Sequence, residues 1–423
     1  DNSSLSGTVV LSGTASATDQ PAIVIGSNTA LGTGVVYPVN GFALAADGVD
    51  RSLATRFIAQ DLRLVGAADL QLTGALDLLG TATIGVSAPA SLTLSGGVGE
   101  MTAGVAWTKV GAGRLRVASD ALISGALAIS AAGGELILGG STGSIPNVAS
   151  ITVGVGGALE IDNSTTALSD RVRNAAPITL NGGAMVLIGN SGAAVTEVVG
   201  TVQTSSNFTS TLTNVSLGRP TIVAANQFVR SSPSVVNFQG FGADLGTANN
   251  QIRFFSPPIT ALSDGVLPFA TVSRAGDIDF ATYDLPNGVM AAVPTKTTLA
   301  GAGSSDNVKL STSEALTAPT VVNALLLAGS GLVVSGAGSL SIDSGLLVSA
   351  GTNNSLGVAV DFSSVSPLIV VPTSPSTSNA SSSLMMAGTV AGLQGLNKFG
   401  AGRLTLAAAN SYQGLTSVLE GSV

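Results

Sequence analysis

The chain of 423 residues contains no cysteine and no histidine. Disulfides, thiolate nucleophiles and zinc sites with nitrogen or sulfur ligands are therefore excluded, as are Ser-His-Asp and Cys-His catalytic arrangements. Charge is scarce as well: Asp, Glu, Lys and Arg make up 9% of the residues, against roughly 25% in ordinary soluble proteins. A net charge of −8 argues against nucleic acid as a partner, because phosphates call for clustered Lys and Arg. No run reaches the about 18 apolar residues that a membrane-spanning helix needs. Aromatic residues are only 4% of the chain, with a single Trp. The chain opens on Asp1 without a signal-type apolar stretch, and any export signal is expected to have been removed.

What is present is apolar, small and glycine-rich. Hydrophobic residues at 45% supply enough buried surface to offset chain entropy, so the chain folds. The 54 glycines disfavour helix, at about 1 kcal/mol per interior position, and the few charges leave little material for helical i,i+4 ion pairs. Short alternating runs recur instead, such as Leu92-Thr93-Leu94, Ile151-Thr152-Val153, Leu159-Glu160-Ile161, Ile178-Thr179-Leu180 and Leu340-Ser341-Ile342. Each has the period of two expected when one face packs inward and the other meets water. Gly-Gly, Gly-Ala-Gly, Asn-Gly and Ser-Gly turns separate them. Strands this short, with so few rings for a core, fit a β-solenoid better than a sandwich or barrel. The spacing predicts roughly 17–21 rungs of about 20–25 residues.

The chain also repeats itself. Lys109-Val110-Gly111-Ala112-Gly113-Arg114-Leu115 aligns without gaps on Lys398-Phe399-Gly400-Ala401-Gly402-Arg403-Leu404, and the register continues, Gly125 on Gly414 and Ile129 on Val418. Leu115, Val117, Leu404 and Leu406 are expected in the core. The middle differs: residues 201–290 hold eight of the twelve Phe, with prolines gathered there and just beyond. Three sections follow: a solenoid over 1–200 with a repeat copy at 109–134, an irregular or widened section over 201–310, and a second solenoid over 311–423 with a repeat copy at 398–423. A short helix is expected near Thr166–Asn174, where Leu168 and Val172 share a face, and a protruding loop over Ser363–Ser383.

The second copy, continued by Asn410-Ser411-Tyr412-Gln413-Gly414 and Val418-Leu419-Glu420-Gly421, resembles the autotransporter-associated β-strand repeat. That repeat commonly reads as lysine, Gly-x-Gly, Leu-x-Leu, Asn-x-Tyr-x-Gly and a closing Gly. The copy at 109–134 departs from it, with Asp120 and Ile123 where Ala409 and Tyr412 stand later. Ile25 to Gly34 is similar to the segment that usually follows such a repeat, and the stretch from Leu159 to Val202 to blocks of very large repeat proteins of this kind. The resemblance implies an exported, right-handed parallel β-helix at the surface of a Gram-negative-type bacterium or beyond it. It carries no catalytic residues, cofactor or metal.

Asp277, Asp279 and Asp284 form the densest carboxylate group; they could cleave a polysaccharide or bind calcium, yet Asp277 and Asp279 flank Ile278 as a solvated strand face does. On that reading their replacement by Asn leaves the fold nearly unchanged. Lys109, Lys398, Arg114 and Arg403 could bind an anion; the plainer reading is a charged rim that discourages sheet aggregation. Phe254, Phe255, Phe269, Phe280 and Tyr283 could form a recognition surface that stacks on sugars or grips a partner, or fill a widened core. The ends invite head-to-tail assembly through Leu5, Val9, Leu11, Tyr412, Leu415, Val418 and Val423, since a rung left open exposes unpaired N–H and C=O groups. The expected function is structural and non-catalytic, a surface solenoid stacking into a fibre, sheath or layer. The expected partners are copies of the chain itself and surface glycans. An adhesin and, more distantly, a polysaccharide lyase or hydrolase are the alternatives.

Overall fold

The computed structural model describes residues 4–12, 22–39, 42–274, 276–372 and 382–423. It is all-β, with stacked parallel sheets forming a β-solenoid of about 17 turns, at the lower end of the expected count. Among the described residues the 3-10 turn Ile259–Ala261 is the one helical element. Of the loop expected over Ser363–Ser383, residues 373–381 lie outside the described residues, and Leu368–Val370 is a strand.

The chain divides into two compact units. The first comprises residues 1–203, 213–229 and 249–256 and contains a 15-stranded sheet. Facing it are strands of a second sheet, from Arg51–Leu53 through Ser91–Leu94, Arg114–Val117 and Gly134–Leu138 to Ala184–Ile188. Strict alternation places Leu115 and Val117 inside and Arg114 and Arg116 outside. Parallel, in-register stacking then turns each inward position into a column. Leu53, Leu72, Leu94, Val117, Leu138, Ile161 and Leu187 succeed one another on adjacent rungs, all buried. Burying each of these side chains contributes on the order of 1.5–3 kcal/mol. On the outer face of the 15-stranded sheet the corresponding column reads Thr83, Thr108, Ala128, Thr152 and Thr179.

The second unit comprises residues 204–212, 230–248 and 257–423. Three parallel sheets of six, five and four strands run through it. One turn supplies a strand to each, as Ala324–Ala328, Val333–Ser335 and Ser339–Ile342 do. Leu, Val and Ile with Phe362 and Met386 fill the space between, and Leu404 is fully buried while Leu406 is half-buried. An antiparallel arrangement interrupts the stack: Ala270–Arg274 pairs with Asp277–Asp284, which pairs with Gly288–Ala291.

The helix expected at 166–174 is absent. That stretch is irregular because side chains from other rungs take its polar groups. Arg171 is fully buried; its guanidinium donates to the carbonyls of Gly140, Gly143 and Thr166 and to the Asn163 side chain. Both oxygens of the buried Glu197 accept the backbone N–H groups of Arg171 and Val172, at 3.1 and 2.8 Å. The N–H groups of Arg171 and Val172 thus bond to a side chain 26 and 25 residues away rather than to carbonyls four residues back.

Candidate functional site

The two repeat copies build the same turn, one in each unit. In the first, the strand Trp107–Val110 alternates buried and half-buried, which sends both Trp107 and Lys109 inward. Lys109 has no solvent exposure, and its ammonium reaches the inner end of the glycine turn. Nζ donates to the carbonyl oxygens of Gly111 at 2.5 Å, Gly113 at 2.7 Å and Gly133 at 2.5 Å, with that of Val110 at 3.3 Å. Gly133 belongs to the next turn of the solenoid, 24 residues on.

The second copy repeats this arrangement in part, the Gly402 carbonyl accepting from the Ser422 N–H instead of from the lysine. Lys398 is likewise fully buried, and its Nζ donates to the carbonyls of Gly400 at 2.5 Å, Phe399 at 3.1 Å and, from the following turn, Glu420 at 3.0 Å. The bonds to the turn below match as well. The Gly113 N–H donates to Val86 and the Gly402 N–H to Val371; Arg114 donates to Ala90 and Arg403 to Ser382. Upward, Ser130 donates to the Lys109 carbonyl and Leu419 to that of Lys398, each at 3.0 Å. Gly111 and Gly400 adopt φ of +79° and +80°, a region that costs an L-residue about 1–2 kcal/mol. A Cβ at Gly111 would also collide with the Val86 carbonyl oxygen. Burial pushes each lysine down to about 8, opposed by Glu135 for Lys109 and by Glu420 for Lys398.

These lysines are therefore not a charged rim, and that expectation is corrected. Only four lysines occur in the chain, and two are core residues because a ring of inward carbonyls would otherwise lack donors. Parity could have revealed it: Lys109 falls two positions from Trp107 in an alternating strand. The arginines do lie outside, where Arg114 pairs with Glu135 at 2.7 Å. No sequence signal marked Arg171 or Glu197, whose partners lie in other rungs.

The acidic group is also placed differently. Asp277 and Asp279 are both held by Arg274 and Lys309. Asp279 is buried while Asp277 is half-exposed. Arg274 reaches on to Asp244 at 3.1 Å, and Asp284 accepts from the Asn287 side chain across a turn. The pair is a salt-bridged joint between the antiparallel strands and the first strand of the three-sheet solenoid, Asn307–Leu310. Replacing Asp279 thus has a structural consequence that strand patterning did not anticipate.

Of the five rings considered as a recognition surface, Phe254, Phe269, Phe280 and Tyr283 are buried, and Phe255 alone is exposed, at 66%. Phe254 packs on Phe228 with ring centroids 5.7 Å apart, and Arg230 sits 4.9 Å over Phe269. These rings fill core. Of the residues considered for end-to-end contact, Leu11 is buried, Val9 and Tyr412 are half-buried, and Leu5, Leu415, Val418 and Val423 are exposed.

Residues 396–423 match the family described as Passenger-associated-transport-repeat, and the matched segment contains the second lysine turn. No curated protein and no solved structure matches the chain.

Proposed function

With a passenger-type repeat built into a β-solenoid as the premise, we propose that this chain is a non-catalytic structural segment of a protein displayed at a bacterial surface. The observation that carries the proposal is that the matched repeat is an integral rung: its strands Leu396–Phe399 and Arg403–Leu406 continue the parallel ladders in register. A repeat of this kind implies a secreted or surface-exposed protein. The outward column of Thr and Ala and the few charges suit a solenoid face that presents small side chains to water. The Asp277–Asp279 pair, tied to two cations, supports a structural rather than a hydrolytic role. The test is protease shaving of intact cells that express the chain. Release of its peptides without lysis is expected; protection until the envelope is broken contradicts surface display.

The finer role we propose is assembly, with the exposed apolar residues Leu415 (82% exposed) and Val418 of the last described rung covered by a further rung of the same kind. Sedimentation at rising concentration tests this, with growth of large species expected and a single invariant species contradicting it. One feature favours an adhesive reading instead. Half-exposed Phe241 lies with Asp244 and Arg274 around an open depression of about 270 Å³, and an apolar ring beside hydrogen-bonding groups is the chemistry that recognises sugars. Phe241→Ala abolishing retention on a glycan array would select that reading.

A further inference from the structure

We infer that the Lys-x-Gly-x-Gly turn of the repeat is a carbonyl cage for an ammonium-class cation, occupied by the chain's own lysine and completed only when the next turn of the solenoid has stacked. Four converging carbonyl oxygens, with no side-chain donor among them, form the kind of site that replaces the hydration shell of a monovalent cation. Around Lys109, three of the four lie within 2.7 Å of Nζ, so all three ammonium protons are used. The second copy, in the other unit, keeps the same bonds to the turn below and holds Lys398 with three such oxygens, those of Phe399, Gly400 and Glu420. In each copy one oxygen comes from the following turn, that of Gly133 or of Glu420.

The glycines belong to the cage for a physical reason. Gly111 and Gly400 turn the chain through positive φ, and at Gly113 and Gly402 a Cβ would press on the backbone of the preceding turn, on Ala90 and Ser382 respectively. A larger residue would lift the turn away and move its carbonyls off the cation. The lysine is therefore a rivet between rungs, bonded to carbonyls of two adjacent turns.

The test is chemical rescue in the full chain. Lys109→Ala removes Cγ, Cδ, Cε and Nζ, and propylammonium supplies the same four heavy atoms as a free cation. The variant is expected to unfold several degrees below the parent, followed by the fluorescence of the only tryptophan, the buried Trp107. Propylammonium at saturation should restore about 2–4 °C, as a ligand that binds only the folded chain does. Tetramethylammonium, which has no N–H, should restore nothing at equal ionic strength. Equal responses to the two cations, or an equal response of the parent chain, overturn the inference. Should Lys109→Ala fail to fold, acetylation of the native parent decides. Lys296 is modified first while Lys109 and Lys398 resist until unfolding; modification of either at the rate of Lys296 overturns it.

Discussion

The Glu420 carboxylate accepts the backbone N–H of Thr209 at 3.0 Å across 211 residues of sequence, and with its other oxygen the N–H of Gly400 at 2.9 Å. One acidic side chain thus holds the second lysine turn to the segment 204–212 of the same unit. Its own carbonyl accepts from Lys398, so one residue satisfies two donors of the turn, the Gly400 N–H and the Lys398 ammonium. Bonds of this charge-assisted type contribute about 1.5–3 kcal/mol.

Glu420→Ala is therefore expected to expose the amides of Gly400 and Thr209 to hydrogen exchange, with protection falling by one to two orders of magnitude, as roughly 1.5–3 kcal/mol implies. The Gly113 amide, bonded to Val86 in the other unit, serves as the internal control. Unchanged protection at Gly400 would remove the carboxylate from this role.

Gly111→Ala and Gly104→Ala separate conformational strain from collision. Both glycines have positive φ, +79° and +88°, so both variants carry about 1 kcal/mol of backbone cost. Only at position 111 would the new methyl meet the Val86 carbonyl, whereas nothing lies within 4 Å at 104. Urea denaturation should show Gly111→Ala costing at least about 2 kcal/mol more than Gly104→Ala.

Stability should fall with rising pH through Glu197. Burial pushes its carboxyl up to about 8 from 4.5, against the lowering effect of the Val172 and Arg171 N–H groups. The folded state then binds more protons than the unfolded between those values, so the stabilising contribution is complete below pH 4.5 and lost as pH rises through 8. Glu197→Gln removes the titration and should flatten that slope, at a lower stability throughout because it retains one of the two acceptor oxygens. Urea midpoints from pH 4.5 to 8.5, compared for parent and variant, measure it.

The two acids at the antiparallel joint should differ. Asp279→Asn withdraws a buried partner from Lys309 and Arg274 and is expected to cost about 1–3 kcal/mol. Asp277→Asn, half-exposed, should cost under about 1 kcal/mol. Chemical denaturation ranks them. Incubation with polysaccharides is expected to show no cleavage; cleavage by the parent that disappears in the double variant would reverse the non-catalytic reading.

Local sequence was sufficient for the architecture. The alternation of Leu115 and Val117 with Arg114 and Arg116, repeated between glycine turns, already requires short strands with one apolar face, and such strands can only bury that face by stacking. The match of 109–115 to 398–404, which differ only at Val110 and Phe399, likewise declared one structural unit used twice. Tertiary structure decided the rest, because it lies between rungs rather than along the chain. Composition does not say that Lys109 and Lys398 leave solvent for carbonyls supplied partly by the next turn. Nor does local pattern say that Arg171 reaches the carbonyls of Gly140 and Gly143, or that Glu420 reaches Thr209. A period of two specifies which way a side chain points; what it meets there depends on partners some 20 to 211 residues distant, and only the stacked fold brings those partners within hydrogen-bond reach.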